Sequence, residues 1–500
     1  MKAWAAIAAL FTAGLLVGID RPFLRHREGV PAYFAGVARN AVREGTVKTR
    51  LGFLETSSPD LSVYGEWRDY YYPNRPFLSV WITSLWFRAF GWGEWVIRLS
   101  LIAAALGTLA AFLALARRLL GDRWAVVAAA FLAFNPMFWY FSVVAVHLVY
   151  SLCFSVAAWA CRVRWGEGRR WRVLTFIFLV LACMSDWPGY FAAFALAVDA
   201  WLERPRPWSA AFLGTGLACF GLHLLHLLWI DPAHGPLVDR FLSAGTERSA
   251  AGLPSLGAFF LSEAREAGLY FTAGGLLLAA AGLRRLPRRA WILVLLGLEE
   301  LVFMHWAYLH DFLSYPLTPF FALAAAKGAE TLWTSKPRRA VVVALAALAA
   351  AQSLWITGDR LTRNGATEVQ YRAGLAVRET ASPSERTLLT IADLRQYTPY
   401  YADRYTAGIE GGTPLRLMVH PSAGGIPVTG VGDLERFLPE FTWALVGDPD
   451  LAAREIKFFG GKRPPEAFGF LGPDHPLRRA IEARATAKVE RGAFILYRLK

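Results

Sequence analysis

The sequence predicts a polytopic α-helical membrane protein with a small soluble α/β domain at its C-terminal end, and three observations predict it. Of 500 residues, 55% are hydrophobic and 18% charged, and the mean hydropathy is +0.34, a balance that belongs to membrane chains rather than soluble domains. The apolar residues gather into runs near the spanning length of roughly 17 to 25 residues. From Gly358 onward the composition turns to that of a soluble domain.

The runs fall at 3–19, 94–118, 123–141, 143–161, 172–187, 188–202, 208–229, 267–283, 290–305, 311–330 and 339–357, about eleven in all. The first begins after Lys2 and no small-residue cleavage site follows Ile19-Asp20-Arg21, so a retained anchor is expected. The twenty Trp suit membrane interfaces. The net charge of +14 does not point to nucleic acid, because much of it sits in short clusters between apolar runs. Arg117-Arg118 with Arg123, Arg162 to Arg172, Arg204 with Arg206, Arg284 to Arg289, and Lys336 to Arg339 all fall on one side if every run crosses. That side is the cytoplasm by the positive-inside rule. The first loop (20–93), the 230–266 loop and the C-terminal residues then face outward from a cytoplasmic (inner) membrane. The four cysteines lie in apolar runs and imply no disulfide framework.

The expected division is a membrane domain over 1–357, including the large first outer loop, and an extracytoplasmic α/β domain over 358–500. The first loop is too long for a simple connector. Val30 to Glu44 has helical spacing, with Tyr33, Phe34, Val37 and Ala41 on one side. Residues 77–91, interrupted by Arg88, fit an amphipathic helix in the outer interface, with Trp81, Trp86 and the adjoining Trp92 at headgroup level. These two helices flank the polar stretch from Glu55 to Arg75. In the C-terminal domain, apolar runs at Thr387 to Ile391, Leu415 to Val419, Trp443 to Val446 and Phe494 to Tyr497 predict strands. Helical patterns at Asp433 to Phe437 and Leu451 to Phe459 alternate with them. No GxGxxG, Walker sequence or internal repeat is present, which argues against a nucleotide-driven pump.

On this topology His26, His147, His223, His226, His234, His305 and His310 lie near outer helix ends or in outer loops. Asp20, Glu28, Asp69, Asp186, Asp231 and Asp311 gather on the same side. Ionisable groups near a membrane are costly, so a polar, water-accessible cavity at the outer face is expected, although interfaces also tolerate such residues. Arg98, just inside the second run, either holds a lipid-linked phosphate with its planar fork or snorkels outward. His223 and His226, with Asp231 and His234 beyond, have a spacing that could ligate a divalent metal. No HExxH or paired-Cys pattern accompanies them, so a metal stays open and no cofactor is firmly implied. Glu299-Glu300, inside an apolar run, have no assigned role.

Several stretches together resemble the C-type glycosyltransferases, and within them the protein O-mannosyltransferase and lipid A aminoarabinose transferase group, glycosyltransferase family 39. They are Glu28 to Gly45 with Val37-Ala38-Arg39-Asn40, Tyr72-Pro73-Asn74-Arg75-Pro76-Phe77 through Phe90-Gly91, and Glu94 to Leu99. Arg117-Arg118-Leu119-Leu120-Gly121, Asn135-Pro136, Ser185-Asp186-Trp187-Pro188-Gly189 and Leu309-His310-Asp311-Phe312-Leu313-Ser314-Tyr315-Pro316 follow in order. The resemblance covers roughly residues 1–357 and implies an inverting transfer of a sugar from a polyprenyl-phosphate carrier to an acceptor on the outer side of the cytoplasmic membrane. A loop carboxylate would take the acceptor's proton, and cations would stabilise the departing lipid phosphate.

By the same resemblance Glu28 is the first candidate for the base, Asp69 the reserve and Asp20 the third, while Arg75 is the phosphate contact beside Arg98. His26, Arg39, Asn74, His147, Asp186, His310 and Asp311 are cavity candidates. The chain departs from the family where the opening acid appears as His26-Arg27-Glu28-Gly29, and where Pro73-Asn74-Arg75-Pro76 stands in place of a His- or Lys-bearing entry. A helix N-terminus would also favour the Glu28 charge without any catalytic role. Two other functions stay open: a catalytically silent partner of the same fold in envelope assembly, and a transporter, which the lack of repeats disfavours. The sugar is not named by the sequence, nor whether the acceptor is lipid, glycan or protein.

Overall fold

The computed structural model describes residues 2–54, 71–203, 206–230, 236–249, 253–363, 368–391, 398–410, 415–418, 426–428, 431–454 and 469–499. Asp69, Asp231, His234 and His420 lie outside them. The chain divides into two compact units. One comprises Met1–Ile19, Pro73–Ile82 and Trp95–Thr362, the other Asp20–Tyr72, Thr83–Glu94 and Arg363–Lys500. The first loop outside Pro73–Ile82 therefore groups with the C-terminal residues.

The helices in chain order are α1 (Lys2–Leu16), α2 (Gly29–Glu44), α3 (Leu78–Phe90), α4 (Glu94–Ala133), α5 (Pro136–Phe141), α6 (Val146–Arg162), α7 (Arg169–Ser185), α8 (Pro188–Glu203) and α9 (Arg206–Ile230). There follow α10 (Pro236–Arg248), α11 (Leu256–Tyr270), α12 (Ala273–Leu283), α13 (Arg288–Ile292), α14 (Leu298–Val302), α15 (Met304–Leu309), α16 (Thr318–Leu332) and α17 (Lys336–Thr362). Among the described residues, three helices are long and apolar enough to cross a membrane: Glu94–Ala133, Pro207–Ile230 and Lys336–Thr362. The bent pair α11 and α12 makes a fourth if it counts as one span. This measure gives fewer than the about eleven runs of spanning length in the sequence.

Local breaks account for part of the difference. The 40 residues of α4 contain a kink at Gly121, whose φ of 77° suits glycine, so α4 is two helices meeting where two runs were expected. Asn135 caps α5, its Oδ1 accepting from Phe138 N at 3.2 Å, with Pro136 in the first turn. The expected run at 290–305 is divided into α13, a 3-10 stretch at Leu293–Gly297, α14 and α15.

The α11–α12 break turns the chain by 104°. Thr272 stands in it at a φ of 62°, a strained value for a β-branched residue. Its Oγ1 caps α12 by accepting from Gly275 N at 3.2 Å. Gln352 of α17 spans the break: its Nε2 donates to Gly268 O and its Oε1 accepts from Ala273 N, each at 2.9 Å. Beyond the break α12 lies against α16, because a Cβ on Gly282 or Gly328 would overlap a backbone oxygen of the facing helix. Small residues permit such close approach between membrane helices.

In the second unit α18 (Glu368–Thr380) precedes β1 (Arg386–Leu389), α19 (Thr398–Ala402), β2 (Tyr405–Glu410), β3 (Leu415–Met418), β4 (Ile426–Val428), α20 (Val431–Phe437), β5 (Trp443–Gly447), α21 (Pro449–Arg454), α22 (Pro476–Glu482), β6 (Ala487–Arg491) and β7 (Phe494–Arg498). Among the described residues the strands form a seven-stranded sheet in the order β4-β3-β2-β1-β5-β7-β6. β1 runs parallel to β2 and β5, and the other pairs are antiparallel. Alternation along β1, β5 and β7 puts Leu388, Ala444, Val446, Ile495 and Tyr497 into a core with α20 and α22. Leu389, Trp443, Leu445, Phe494 and Leu496 enter a second core with α18. Burial on both faces explains the unbroken apolar Trp-Ala-Leu-Val of β5.

The first loop joins this unit through α2. Arg39 Nη1 donates to Tyr400 O at 2.8 Å and pairs with Asp403 at 3.0 Å, while Arg43 reaches the same carboxylate at 2.5 Å. Phe23 N donates to the Tyr401 hydroxyl at 2.6 Å. Of the apolar side expected for this helix, Phe34, Val37 and Ala41 are buried and Tyr33 is half-buried.

Candidate functional site

In the first unit the segment Pro73–Pro76 is fixed by its backbone before its side chains act. Trp187 Nε1 donates to Asn74 O at 3.2 Å, and His223 Nε2 lies 3.1 Å from Pro73 O. As α3 starts, Ser79 Oγ donates to Ser185 O at 2.9 Å. This brings Arg75 to the junction of α7 and α8, where Asp186 takes extended geometry (φ −173°, ψ 177°). Pro188 opens α8, and Gly189 allows a close turn, because a Cβ there would overlap the backbone of Ala182 and Cys183. Arg75 Nη1 lies 2.7 Å from both Asp186 oxygens.

The side chains of this pair are 6% and 0% exposed. His147, in the first turn of α6, places Nε2 at 3.7 Å from Asp186 Oδ2, beyond direct hydrogen bonding. Its ring centroid is 6.0 Å from that of Phe312, which lies 5.2 Å from His310. His310 stacks on Trp306 at 3.9 Å, and Arg248 lies over the other partner of that ring system, 4.8 Å from the Trp306 centroid. The Arg248 charge acts on His147, Asp186 and Glu299, and the Arg75 charge also acts on Glu299. Asp311, beside His310, accepts from the Tyr270 hydroxyl at 2.5 Å, and Arg360 donates to that hydroxyl at 3.1 Å.

The result is a buried cluster of two guanidiniums, two carboxylates and a histidine. Isolated buried charges are strongly disfavoured, and here Arg75 and Asp186 compensate each other. The cluster presents fixed cations at a place from which water is largely withdrawn, where they act strongly on an anionic group.

Of the residues singled out in the sequence, Arg75, His147 and Asp186 enter this cluster, with Asn74, His310 and Asp311 adjoining it. Arg98 has other partners: its Nη1 donates to Ile19 O at 2.8 Å and Gly18 O at 3.4 Å, beyond the end of α1. Glu28, His26 and Arg39 lie in the second unit. Glu28 is fully buried before α2, and its Oε2 accepts from Arg25 N at 2.8 Å. His26 is half-buried. Arg39 makes the Tyr400 and Asp403 contacts already described. Asp69 lies outside the described residues. Sequence reasoning missed Arg248, Trp306 and the place of Glu299. Arg248 carried no signal, but Glu299-Glu300 inside an apolar run was one.

His223 and His226 have different neighbours. His223 contacts a backbone carbonyl, whereas the His226 ring lies 4.6 Å from Phe77 and 6.1 Å from Trp229. No group of three or more His, Cys, Asp or Glu suited to hold a metal occurs among the described residues.

Residues 74–229 match the family described as dolichyl-phosphate-mannose-protein mannosyltransferase, a range that contains Arg75, His147, Asp186 and His223. Among solved structures the chain is similar to the archaeal oligosaccharyltransferase AglB from Archaeoglobus fulgidus, in complex with an inhibitory peptide and a dolichol-phosphate. The TM-score is 0.59 at 14% identity, over 99% of this chain and 73% of that one. It is also similar to ArnT from Cupriavidus metallidurans bound to undecaprenyl phosphate, with a TM-score of 0.55 at 14% identity, over 99% of this chain and 98% of that one. A third similar structure is the Archaeoglobus fulgidus oligosaccharyltransferase in complex with Zn and sulfate, with a TM-score of 0.54 at 14% identity, over 97% of this chain and 71% of that one. No curated protein sequence matches. The chain thus has the fold of the C-type membrane glycosyltransferases, and over residues 74–229 it resembles the dolichyl-phosphate-mannose-protein mannosyltransferases.

Proposed function

We propose that this protein is a membrane glycosyltransferase that moves a sugar from a polyprenyl-phosphate carrier to an acceptor hydroxyl on the outer face of the cytoplasmic membrane. The observation that carries the proposal is the buried Arg75–Asp186 pair, with Arg248 in the same cluster, inside or beside the stretch that resembles lipid-phosphate-mannose transferases. Its support from the fold is that similar structures hold dolichol-phosphate or undecaprenyl phosphate.

In this reading the acceptor oxygen attacks the anomeric carbon as the bond from that carbon to the phosphate oxygen breaks. The configuration inverts, and the lipid phosphate leaves with the electron pair. Arg75 and Arg248 stabilise the charge that develops on it. The acceptor's proton passes to a carboxylate, for which Glu28 is the first candidate and Asp69 the second. Asp186 fixes the Arg75 guanidinium, so that little reorganisation is needed as charge grows. The acceptor is a lipid, glycan or protein carrying a hydroxyl.

The test is transfer of label from a panel of polyprenyl-phosphate sugars in membranes containing the wild type, Arg75→Ala, Glu28→Gln or Asp69→Asn. One donor should be consumed by the wild type and spared by Arg75→Ala, with one of the two carboxylate variants also inactive. A well-expressed wild type that neither consumes nor binds any donor would overturn the proposal and favour a silent member of the fold.

A further inference from the structure

Three hydrogen-bond acceptors are buried around Arg75 without a donor. Asn74 Oδ1, His223 Nδ1 and Glu299 Oε2 have no hydrogen-bond partner among the described residues, and their residues are 8%, 1% and 1% exposed. The His223 atom is an acceptor by elimination. Its Nε2 faces the Pro73 carbonyl oxygen, which can only accept, so Nε2 carries the proton and Nδ1 of the neutral ring offers a lone pair. Buried polar atoms in native proteins are almost always satisfied, and those left over point to water or a ligand.

These acceptors belong to one place. His223 holds the carbonyl of the residue before Asn74, and Trp187, which donates to Asn74 O, has its ring 5.6 Å from that of Phe303, whose N–H donates to Glu299 O. Aromatic rings stand beside them: Phe241 lies 5.5 Å from His223 and stacks on Trp187 at 5.9 Å. A complementary ligand must bring several donors at once. It need not bring positive charge, because Arg75 and Arg248 already supply it and would repel a cation. A neutral, hydroxyl-rich group satisfies both conditions.

We infer that Asn74, His223 and Glu299 form the pocket for the sugar of the lipid donor and hold it by accepting hydrogen bonds from its hydroxyls. The inference rests on the donor class proposed above and adds which residues distinguish a sugar-bearing lipid from a bare one. Arg75 meets the phosphate, common to both lipids. Asn74, His223 and Glu299 meet the part that only the donor has.

The experiment compares binding of polyprenyl-phosphate mannose, glucose and galactose with binding of bare polyprenyl phosphate, using the full chain in lipid nanodiscs. The wild type should hold one sugar-bearing lipid more tightly than the bare lipid. Glu299→Met and Asn74→Leu, which remove the acceptors at similar size, should each weaken that lipid about tenfold, the worth of a hydrogen bond to a charged or buried polar group. The sugar-bearing lipid should lose more affinity than the bare lipid in both variants, and retained binding of the bare lipid shows that each variant is folded. If the wild type binds both lipids and neither variant alters their ratio, the pocket assignment is overturned while the donor class stands. If the wild type binds neither lipid, the donor class itself is wrong and the pocket falls with it.

Discussion

Arg75 and Asp186, 111 positions apart, meet through one guanidinium nitrogen 2.7 Å from both carboxylate oxygens. Both groups are withdrawn from water, so removing one leaves the other uncompensated. Asp186→Ala should destabilise the protein by about 3–5 kcal/mol, and replacing both by apolar residues should cost much less. Thermal unfolding in detergent would show that order. If the pair exists for chemistry rather than stability, Arg75→Met with Asp186→Leu should fold yet transfer no sugar. A double variant with wild-type transfer would remove Arg75 from the mechanism.

Glu28 is fully buried and accepts from the Arg25 backbone N–H, so a turn-stabilising role competes with a catalytic one. The two separate kinetically. If Glu28 takes the acceptor's proton, Glu28→Gln should lower kcat by about 10²–10⁴ with little change in KM for the donor. A purely structural role would lower thermal stability and leave the kcat of the folded fraction intact. Loss confined to Asp69→Asn would move the proton acceptor to that residue.

Where neighbouring residues decide the structure, the sequence was readable. The short apolar runs at β1, β3, β5 and β7 mark those strands, and Gly121 divides α4 between two expected runs. Strands β2, β4 and β6 fall outside the expected runs; the residues of β6 are mostly exposed, and Ala-Lys-Val-Glu-Arg offers no apolar run. The cluster itself was half legible. Asp186 and His147 stood out as ionisable groups at helix ends, but nothing local says that Arg75 meets Asp186 or that Arg248 approaches Trp306. Arg98 shows the same limit: burial marked it as costly, whereas its partners, the carbonyls of Gly18 and Ile19, come from another helix end. The break between α11 and α12 depends on Gln352, some eighty residues away.

That break gives another prediction. Gln352 supplies a donor to Gly268 O and an acceptor to Ala273 N, which the bend withdraws from the helical ladder. Gln352→Leu should cost about 2–4 kcal/mol, since two backbone groups lose partners. Gln352→Glu keeps the acceptor and loses the donor, so it should fall between. Unfolding midpoints of the three proteins in one detergent would test the order, and equal stability of Gln352→Leu and the wild type would sink it.

The C-terminal sheet should respond to acid through Asp448. Its Oδ1 accepts from Asp450 N and Leu451 N, both at 2.9 Å, at the start of α21. Its Oδ2 lies 2.7 Å from Arg478 Nη1. Burial alone would raise this carboxyl, but the Leu451 N–H and the Arg478 guanidinium outweigh it and hold it below the usual range. The folded pKa is therefore lower than the unfolded value of about 3.9. The resulting stabilisation is complete above the unfolded value and is lost as pH falls through the folded one. Asn caps a helix about as well as Asp, so Asp448→Asn should keep the cap while losing the acid-sensitive part. Hydrogen exchange of the peptide spanning β5 and the start of α21, in full-length protein, should show the wild type better protected near about pH 6, with its advantage over Asp448→Asn shrinking below about pH 4. A constant ratio of exchange rates across that range would mean that the Asp448–Arg478 pair does not govern the acid response of this sheet.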